Sequence, residues 1–165
     1  MDTDSFNHLL LKTAFIFTAA DGVVEEGEVE ALAEFATKHR LADKETLSAL
    51  LNEWSECFNR EGTGFMKQFL DSLSGLDLSK KEKIRLLDMA AVTARIDHMI
   101  WEGERTFFKL LFYKLDIKES TVLKKVKGID ESFLPEDDDD EDELYEEYFN
   151  SLEIDKIVRT HHQKG

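Results

Sequence analysis

Apolar residues recur along the chain at helical spacing, in seven or eight separate stretches. The first stretch is apolar over more than one face, which is typical of a central helix. We expect this helix to begin at Asp4 or Ser5, which are both good N-cap residues, and to stop at Asp21-Gly22. Its apolar positions follow the 3.6-residue period at Phe6, Leu9, Leu10, Phe17 and Ala20.

Three further helices are predicted in the first half of the chain. The second opens near Glu25 and runs to about His39. The third starts after Asp43 and is broken by the EGTG stretch at 61–64, because glycine disfavours a helix interior. The fourth ends at Gly75. Each of them carries its apolar residues on one face.

The second half of the chain is also predicted to be helical. Ser79 and Glu82 form a predicted capping box at the start of a fifth helix, which we expect to end at Asp97. A sixth helix is predicted from about Gly103 to Leu115. A shorter helix precedes Gly128, and its apolar positions are Val122, Leu123 and Val126.

A final helix follows Pro135 and an acidic run, and its apolar positions are Leu144, Tyr145, Tyr148, Phe149 and Leu152. No segment alternates apolar and polar residues as a strand does. The pattern therefore predicts an all-α bundle of seven to eight helices. We divide the chain into a helical domain at 1–129, an acidic linker at 130–143 and a C-terminal amphipathic helix with its tail at 144–165.

The charge of the chain is concentrated in one place. The formal net charge is −15, and residues 130–148 hold twelve of the 36 acids and no Lys or Arg. The other 24 acids nearly balance the 21 Lys and Arg residues. Binding to a phosphate backbone needs a basic footprint, so we do not expect a nucleic-acid partner.

The sequence also indicates the cellular compartment of the protein. The only cysteine, Cys57, excludes an internal disulfide framework and a thiolate metal cluster. The acidic N-terminus does not resemble a signal peptide, and no run approaches 18 apolar residues, so no transmembrane segment is predicted. We expect a cytoplasmic protein.

Two acidic turns share one pattern. Residues 19–28 read AADGVVEEGE and residues 95–104 read RIDHMIWEGE. An offset of 76 aligns Asp21 with Asp97 and Glu28 with Glu104, and apolar positions agree on both sides of the turn. The chain is therefore predicted to contain two related helical hairpins, each with an apolar helix, an acidic turn and an amphipathic helix.

These two segments resemble the signature segments of the TerB-like, or tellurite-resistance-type, helical domain. A similar domain stands at the N-terminus of the DjlA co-chaperone. The resemblance covers about residues 5–127. It implies an all-α domain linked to stress responses and metal-related chemistry, with no enzymatic activity and with divalent-cation sites at the paired acidic turns. The His-Pro-Asp motif of J-domains is absent from the sequence, so a co-chaperone role is not indicated.

The acidic residues of the turns are the candidate metal ligands. Ca²⁺ and Mg²⁺ prefer several oxygen ligands, of which some are charged. If both turns lie at the same end of the bundle, their carboxylates would converge on one divalent cation, Ca²⁺, Mg²⁺ or another. The proposed metal ligands are Asp21, Glu25, Glu28, Asp97 and Glu104. The spacing does not fit an EF-hand loop.

Other interpretations of the turns remain open. Glu28 and Glu104 would lie near the third position of their helices, where a carboxylate satisfies free backbone N–H groups without any ion. A metal-dependent hydrolase would use the same carboxylates with an open coordination position. In the second turn His98 stands where the first has Gly22, which weakens the match between the two.

The acidic segment and the last helix also allow more than one interpretation. Mutual repulsion favours a solvated, mobile linker. The aromatic stripe that follows needs burial, either against the body or in the groove of a partner. We expect a non-enzymatic helical module that binds a divalent cation, a protein partner or both. The alternative is a protein-interaction adaptor whose acidic turns only cap helices.

Overall fold

The computed structural model describes residues 2–19, 26–94, 102–127 and 129–152. These residues contain eight α-helices, one 3₁₀ turn at Glu131–Phe133 and no strand, which confirms the predicted all-α bundle. The helices are α1 Thr3–Thr18, α2 Glu26–Lys38, α3 Lys44–Glu61, α4 Thr63–Leu73, α5 Lys80–Ala94, α6 Glu102–Leu115, α7 Glu119–Lys125 and α8 Glu141–Ser151.

The start of α1 differs slightly from the prediction. The helix begins at Thr3, ahead of Asp4 and Ser5, because Asp2 is its N-cap. The Asp2 carboxylate accepts a hydrogen bond from the backbone N–H of Ser5 at 2.8 Å, and this bond lowers the pKa of Asp2. Asp4 and Ser5 are N-cap residues as good as Asp2. The sequence pattern therefore did not distinguish Asp2 from these later candidates.

Three other predicted helix signals agree with the structure, whereas the predicted helix ends at Asp21-Gly22 and Asp97 and the stop at Gly128 lie outside the described residues. Ser79 and Glu82 form the predicted capping box, in which each side chain accepts a hydrogen bond from the backbone N–H of the other residue, at 2.9 and 3.1 Å. Asp43 caps α3 by accepting from the backbone N–H of Thr46 at 2.7 Å. The break between α3 and α4 lies at Gly62, whose φ of 56° favours glycine.

α1 occupies the centre of the bundle, as its apolar pattern predicted. It packs most extensively against α5 and also contacts α2, while α5 contacts α6 and α7. Its completely buried apolar side chains are Leu11, Ala14, Phe15, Ile16 and Phe17. α6 forms a second centre, because it contacts α4, α5, α8 and the 3₁₀ turn.

The 3₁₀ turn and α8 are packed against α6. Phe133 and Leu134 are only 2% and 1% exposed, and Tyr148 and Phe149 of α8 are buried. The interpretation of residues 130–143 as a solvated linker is therefore incomplete, because two of its residues belong to the core. The sequence left open whether the last helix packs on the body or in the groove of a partner, and in the structure it packs on the body.

Two lysines of α6 hold the acidic segment on its surface. Lys109 Nζ lies 3.4 Å from a carboxylate oxygen of Asp139, and Lys114 Nζ lies 3.2 Å from one of Glu141. Burial, assisted by the nearby negative charge of Asp139, raises the pKa of Tyr113, which lies next to Lys114 in the sequence. Partly exposed ion pairs of this kind stabilise a fold by about 0–1 kcal/mol each, so the apolar contacts dominate.

The two halves of the chain have similar helix limits. α1 begins at Thr3 and α5 at Lys80, which is nearly the same offset as that between the two acidic turns. Two non-glycine residues in the described ranges have positive φ: Arg40 follows α2 and Asp116 follows α6, and the offset between them is the one that relates the turns. These limits agree with the proposed repeat. That the hairpins are related copies stays a prediction, because both acidic turns lie largely outside the described residues.

The end of α2 stores backbone strain in an arginine. Arg40 has a φ of 55°, in the left-handed region that favours glycine. This conformation lets the backbone N–H of Leu41 donate to the carbonyl of Ala36 at 2.9 Å, which closes the helix and turns Leu41 into the core. A residue with a Cβ carries an energetic penalty there that glycine does not.

We therefore expect Arg40→Gly to raise the free energy of unfolding by about 1 kcal/mol in urea denaturation followed by circular dichroism. Glu34→Gly is the control, since Glu34 is exposed within α2. It should lower the free energy of unfolding by roughly 0.5 kcal/mol, because glycine disfavours helix interiors. Equal destabilisation by both substitutions would contradict the left-handed conformation of Arg40.

Within the described part of the chain, no helix is both long enough and apolar enough to cross a membrane.

Candidate functional site

The structure describes two of the five predicted metal ligands. Glu28 and Glu104 lie in described helices, whereas Asp21, Glu25 and Asp97 lie outside the described residues. The described residues alone contain no group of three or more His, Cys, Asp or Glu side chains that could hold a metal ion. The five-carboxylate site therefore stays a prediction.

Glu28 and Glu104 occupy equivalent places at the start of two helices. Each is the third described residue of its helix, α2 for Glu28 and α6 for Glu104. Glu104 is only 6% exposed, while Glu28 is half-buried, and neither carboxylate is without a partner. A negative charge in the first turn interacts favourably with the helix dipole. This placement is typical of carboxylates that cap a helix, and cation binding by the same carboxylates is a separate question for experiment.

An aromatic cluster joins the end of α1 to the beginning of α6. The ring of Phe17 lies edge-on to Phe107 and Phe108, with centroid distances of 5.6 and 6.2 Å. Phe17 is the last residue but one of α1, and the two partners belong to the second turn of α6. Residues 20–25 directly follow this end of α1, and residues 95–101 directly precede α6.

A second contact orients the opposite end of α1. The guanidinium carbon of Arg85 lies 5.2 Å from the ring centroid of Phe6. Phe6 belongs to the first half of α1 and Arg85 to the first half of α5. α1 and α5 therefore run in broadly the same direction, because α1 starts beside the first half of α5 and ends beside the helix that follows α5.

Arg105 lies next to Glu104 on α6 and faces the 3₁₀ turn. Its guanidinium carbon is 5.7 Å from the ring centroid of Phe133. Its Nε atom is buried and has no hydrogen-bond partner among the described atoms. Hydrogen bonds from Ser132, with a smaller contribution from the charge of Arg105, lower the pKa of Asp130 in the same region. No pattern in the sequence indicated this arginine.

The remaining candidate side chains are dispersed. Cys57 is half-buried in α3, and its sulfur lies 3.5 Å from a guanidinium nitrogen of Arg60. His39 stacks on Phe35 with a centroid distance of 4.2 Å. His98 lies outside the described residues.

Open clefts lie between helices in the described part of the chain. One of about 620 Å³ lies between α2 and α3 and is lined by Ala33, Lys38, Lys44 and Leu47. A cleft of about 270 Å³ between α5 and α7 is lined by Lys80, Lys83, Lys118 and Thr121. A third, of about 470 Å³, lies between the end of α2 and α5 and collects His39, Arg85 and Asp88. Sequence analysis missed all three, because each joins residues on different helices.

No protein-family model matches the chain, and comparisons with curated proteins and with solved structures found no match either.

Proposed function

We propose that this chain is a non-enzymatic, TerB-like helical module that binds a divalent cation, Ca²⁺ or Mg²⁺, between its two acidic turns. The observation that carries the proposal is the contact of Phe17 with Phe107 and Phe108. This contact brings the helix that leads into the first turn beside the helix that leaves the second. Carboxylates on two separate turns can share one ion only if the turns start from neighbouring helix ends.

Electrostatics supports the same proposal. Like charges at close range disfavour each other unless an ion or a basic group compensates them. Asp21, Glu25, Glu28, Asp97 and Glu104 are five acids on two short segments. A hard divalent cation accepts several such oxygen ligands at once. Together with the resemblance to TerB-like domains, this supports a role in a cytoplasmic stress response or in metal handling, alongside a protein partner.

Isothermal titration calorimetry with Ca²⁺, Mg²⁺ and Mn²⁺ tests the proposal. We expect saturable binding to the full chain and a rise in Tm, because a ligand that binds only the folded state stabilises it. Asp97→Asn should weaken binding about tenfold or more, since it removes one charged ligand.

The control must separate this site from the acidic segment, which attracts cations without a defined geometry. Asp137→Asn/Asp138→Asn removes two exposed carboxylates from that segment and should leave the affinity unchanged. Absence of both heat and thermal shift at millimolar ion would refute the site. If the control weakened binding as much as Asp97→Asn does, the binding would be a general attraction of counter-ions and not a defined site.

The alternative function is that of a protein-interaction adaptor whose acidic turns only cap helices. The observation that favours it is the position of Glu28 and Glu104 as third residues of α2 and α6. In this case Glu28→Gln and Glu104→Gln would lower the free energy of unfolding equally with and without divalent ions. A loss of stability that appears only when the ion is present would favour the cation site.

A further inference from the structure

The third cleft has the composition of a small-molecule site. It has a volume of about 470 Å³ and opens between the C-terminal end of α2 and the middle of α5. Ligand sites typically measure about 300–1,000 Å³ and combine apolar walls with a few polar groups. The cleft is lined by Phe35, His39, Leu41, Arg85, Asp88 and Met89.

Two opposite charges in the cleft are not paired with each other. Arg85 and Asp88 are both on α5, at the i, i+3 spacing that brings helical side chains close together. Among the described residues, however, neither takes part in an ion pair within 4.0 Å. The guanidinium of Arg85 lies over the ring of Phe6, at 5.2 Å. Asp88 is half-buried, and its carboxylate has no hydrogen bond within the described part of the chain.

The opposite wall of the cleft is apolar and held in place by the backbone. Phe35 and His39 stack on each other at 4.2 Å. Leu41 is fixed by the hydrogen bond from its backbone N–H to the carbonyl of Ala36 at 2.9 Å. The left-handed conformation of Arg40 makes this bond possible. The wall therefore exists before any ligand arrives, which reduces the entropic cost of binding.

The charges of the cleft select the class of ligand. Arg85, which is exposed, and the half-buried Asp88 carry opposite charges, so a ligand with a single charge would pair with only one of them. A neutral molecule that carries both charges would compensate both. We propose that the cleft binds a zwitterionic α-amino acid with an apolar side chain. Arg85 binds its carboxylate, Asp88 binds its ammonium group, and Phe35 and Met89 contact its side chain.

The test is a titration of the ¹⁵N-labelled full chain with L-leucine and L-phenylalanine, followed by NMR. We expect saturable shifts of the amide signals of Phe35, His39 and Met89. N-acetyl-L-leucine lacks the ammonium group and L-leucinamide lacks the carboxylate, so each should bind about tenfold more weakly or worse. The cation site does not enter this experiment, so the two proposals fail independently.

Substitutions assign each charge. Arg85→Gln should weaken the binding of leucine about tenfold and leave the weak binding of leucinamide unchanged. Asp88→Asn should likewise weaken the binding of leucine and leave the weak binding of N-acetyl-leucine unchanged. Arg60→Gln removes an arginine that does not line the cleft and should change nothing. Circular dichroism of each variant checks that it is folded.

Two results would overturn the proposal. If leucine, N-acetyl-leucine and leucinamide bind equally well, the cleft binds apolar groups without reading their charges. If neither amino acid shifts these amide signals at its highest soluble concentration, the cleft does not bind this class of ligand.

Discussion

Removal of residues 131–165 is expected to cost the bundle most of its stability. Of the residues that the structure describes, the deletion takes away four buried hydrophobic side chains: Phe133, Leu134, Tyr148 and Phe149. Burial of one such side chain stabilises a fold by about 1.5–3 kcal/mol, whereas a whole domain is stable by only about 5–15 kcal/mol. The deletion also uncovers α6, because Phe108 lies 5.4 Å from Phe133, and Phe107 lies 5.6 Å from Tyr148, between ring centroids.

Thermal unfolding followed by circular dichroism measures this loss. We expect the truncated chain to have no cooperative transition, or one at a much lower Tm. The full-length variant Phe133→Ala isolates one contact and should lose about 3–5 kcal/mol. Replacement of Glu136, Asp137 and Asp138 by their amides is the control, since it keeps every buried side chain, and should change stability by less than about 1 kcal/mol. A truncated chain with the Tm of the full chain would mean that α8 does not rest on α6 in solution.

Phe17→Ala is expected to be among the most destabilising alanine substitutions in α1. The side chain is completely buried and contacts two aromatic rings of α6. Truncation of a buried phenylalanine costs about 3–5 kcal/mol, because it loses apolar burial and leaves a cavity. Since the same ring joins the two helices beside the acidic turns, we also expect weaker binding of divalent cations by whatever fraction remains folded.

Urea denaturation with and without Ca²⁺ measures both effects. Phe17→Leu is the matched control, because it keeps an apolar side chain, and it should cost less than about 1.5 kcal/mol while preserving cation binding. If Phe17→Ala lowered the free energy of unfolding by only about 0.5 kcal/mol, as a surface substitution does, the burial of this ring would be contradicted.

Local signals in the sequence predicted the helices well. The capping box at Ser79 and Glu82, the cap at Asp43 and the break at Gly62 all depend on a few neighbouring residues, and the structure has each of them. Asp2 was missed because Asp4 and Ser5 offer comparable caps close by. Such small errors follow from near-equal energies of alternative first turns.

Contacts between distant parts of the chain could not be predicted in the same way. Helical periodicity shows which face of α8 is apolar, but not which surface covers it. The position of Tyr148 on α6 therefore required the structure. The cleft that contains His39 and Arg85 is a similar case, because no local pattern relates residues so far apart in the sequence. For the acidic turns, the sequence predicts the ligands, and the structure describes only Glu28 and Glu104 among them.

The packing of α8 on α6 has a consequence for the synthesis of the chain. The ribosome adds α6 before residues 133–149, which cover Phe107 and Phe108. A chain that lacks those residues leaves the aromatic face of α6 open to water and to other proteins. The bundle therefore closes only after residues 133–149 have been made, and a premature stop in the acidic segment yields a chain that is prone to aggregation and proteolysis.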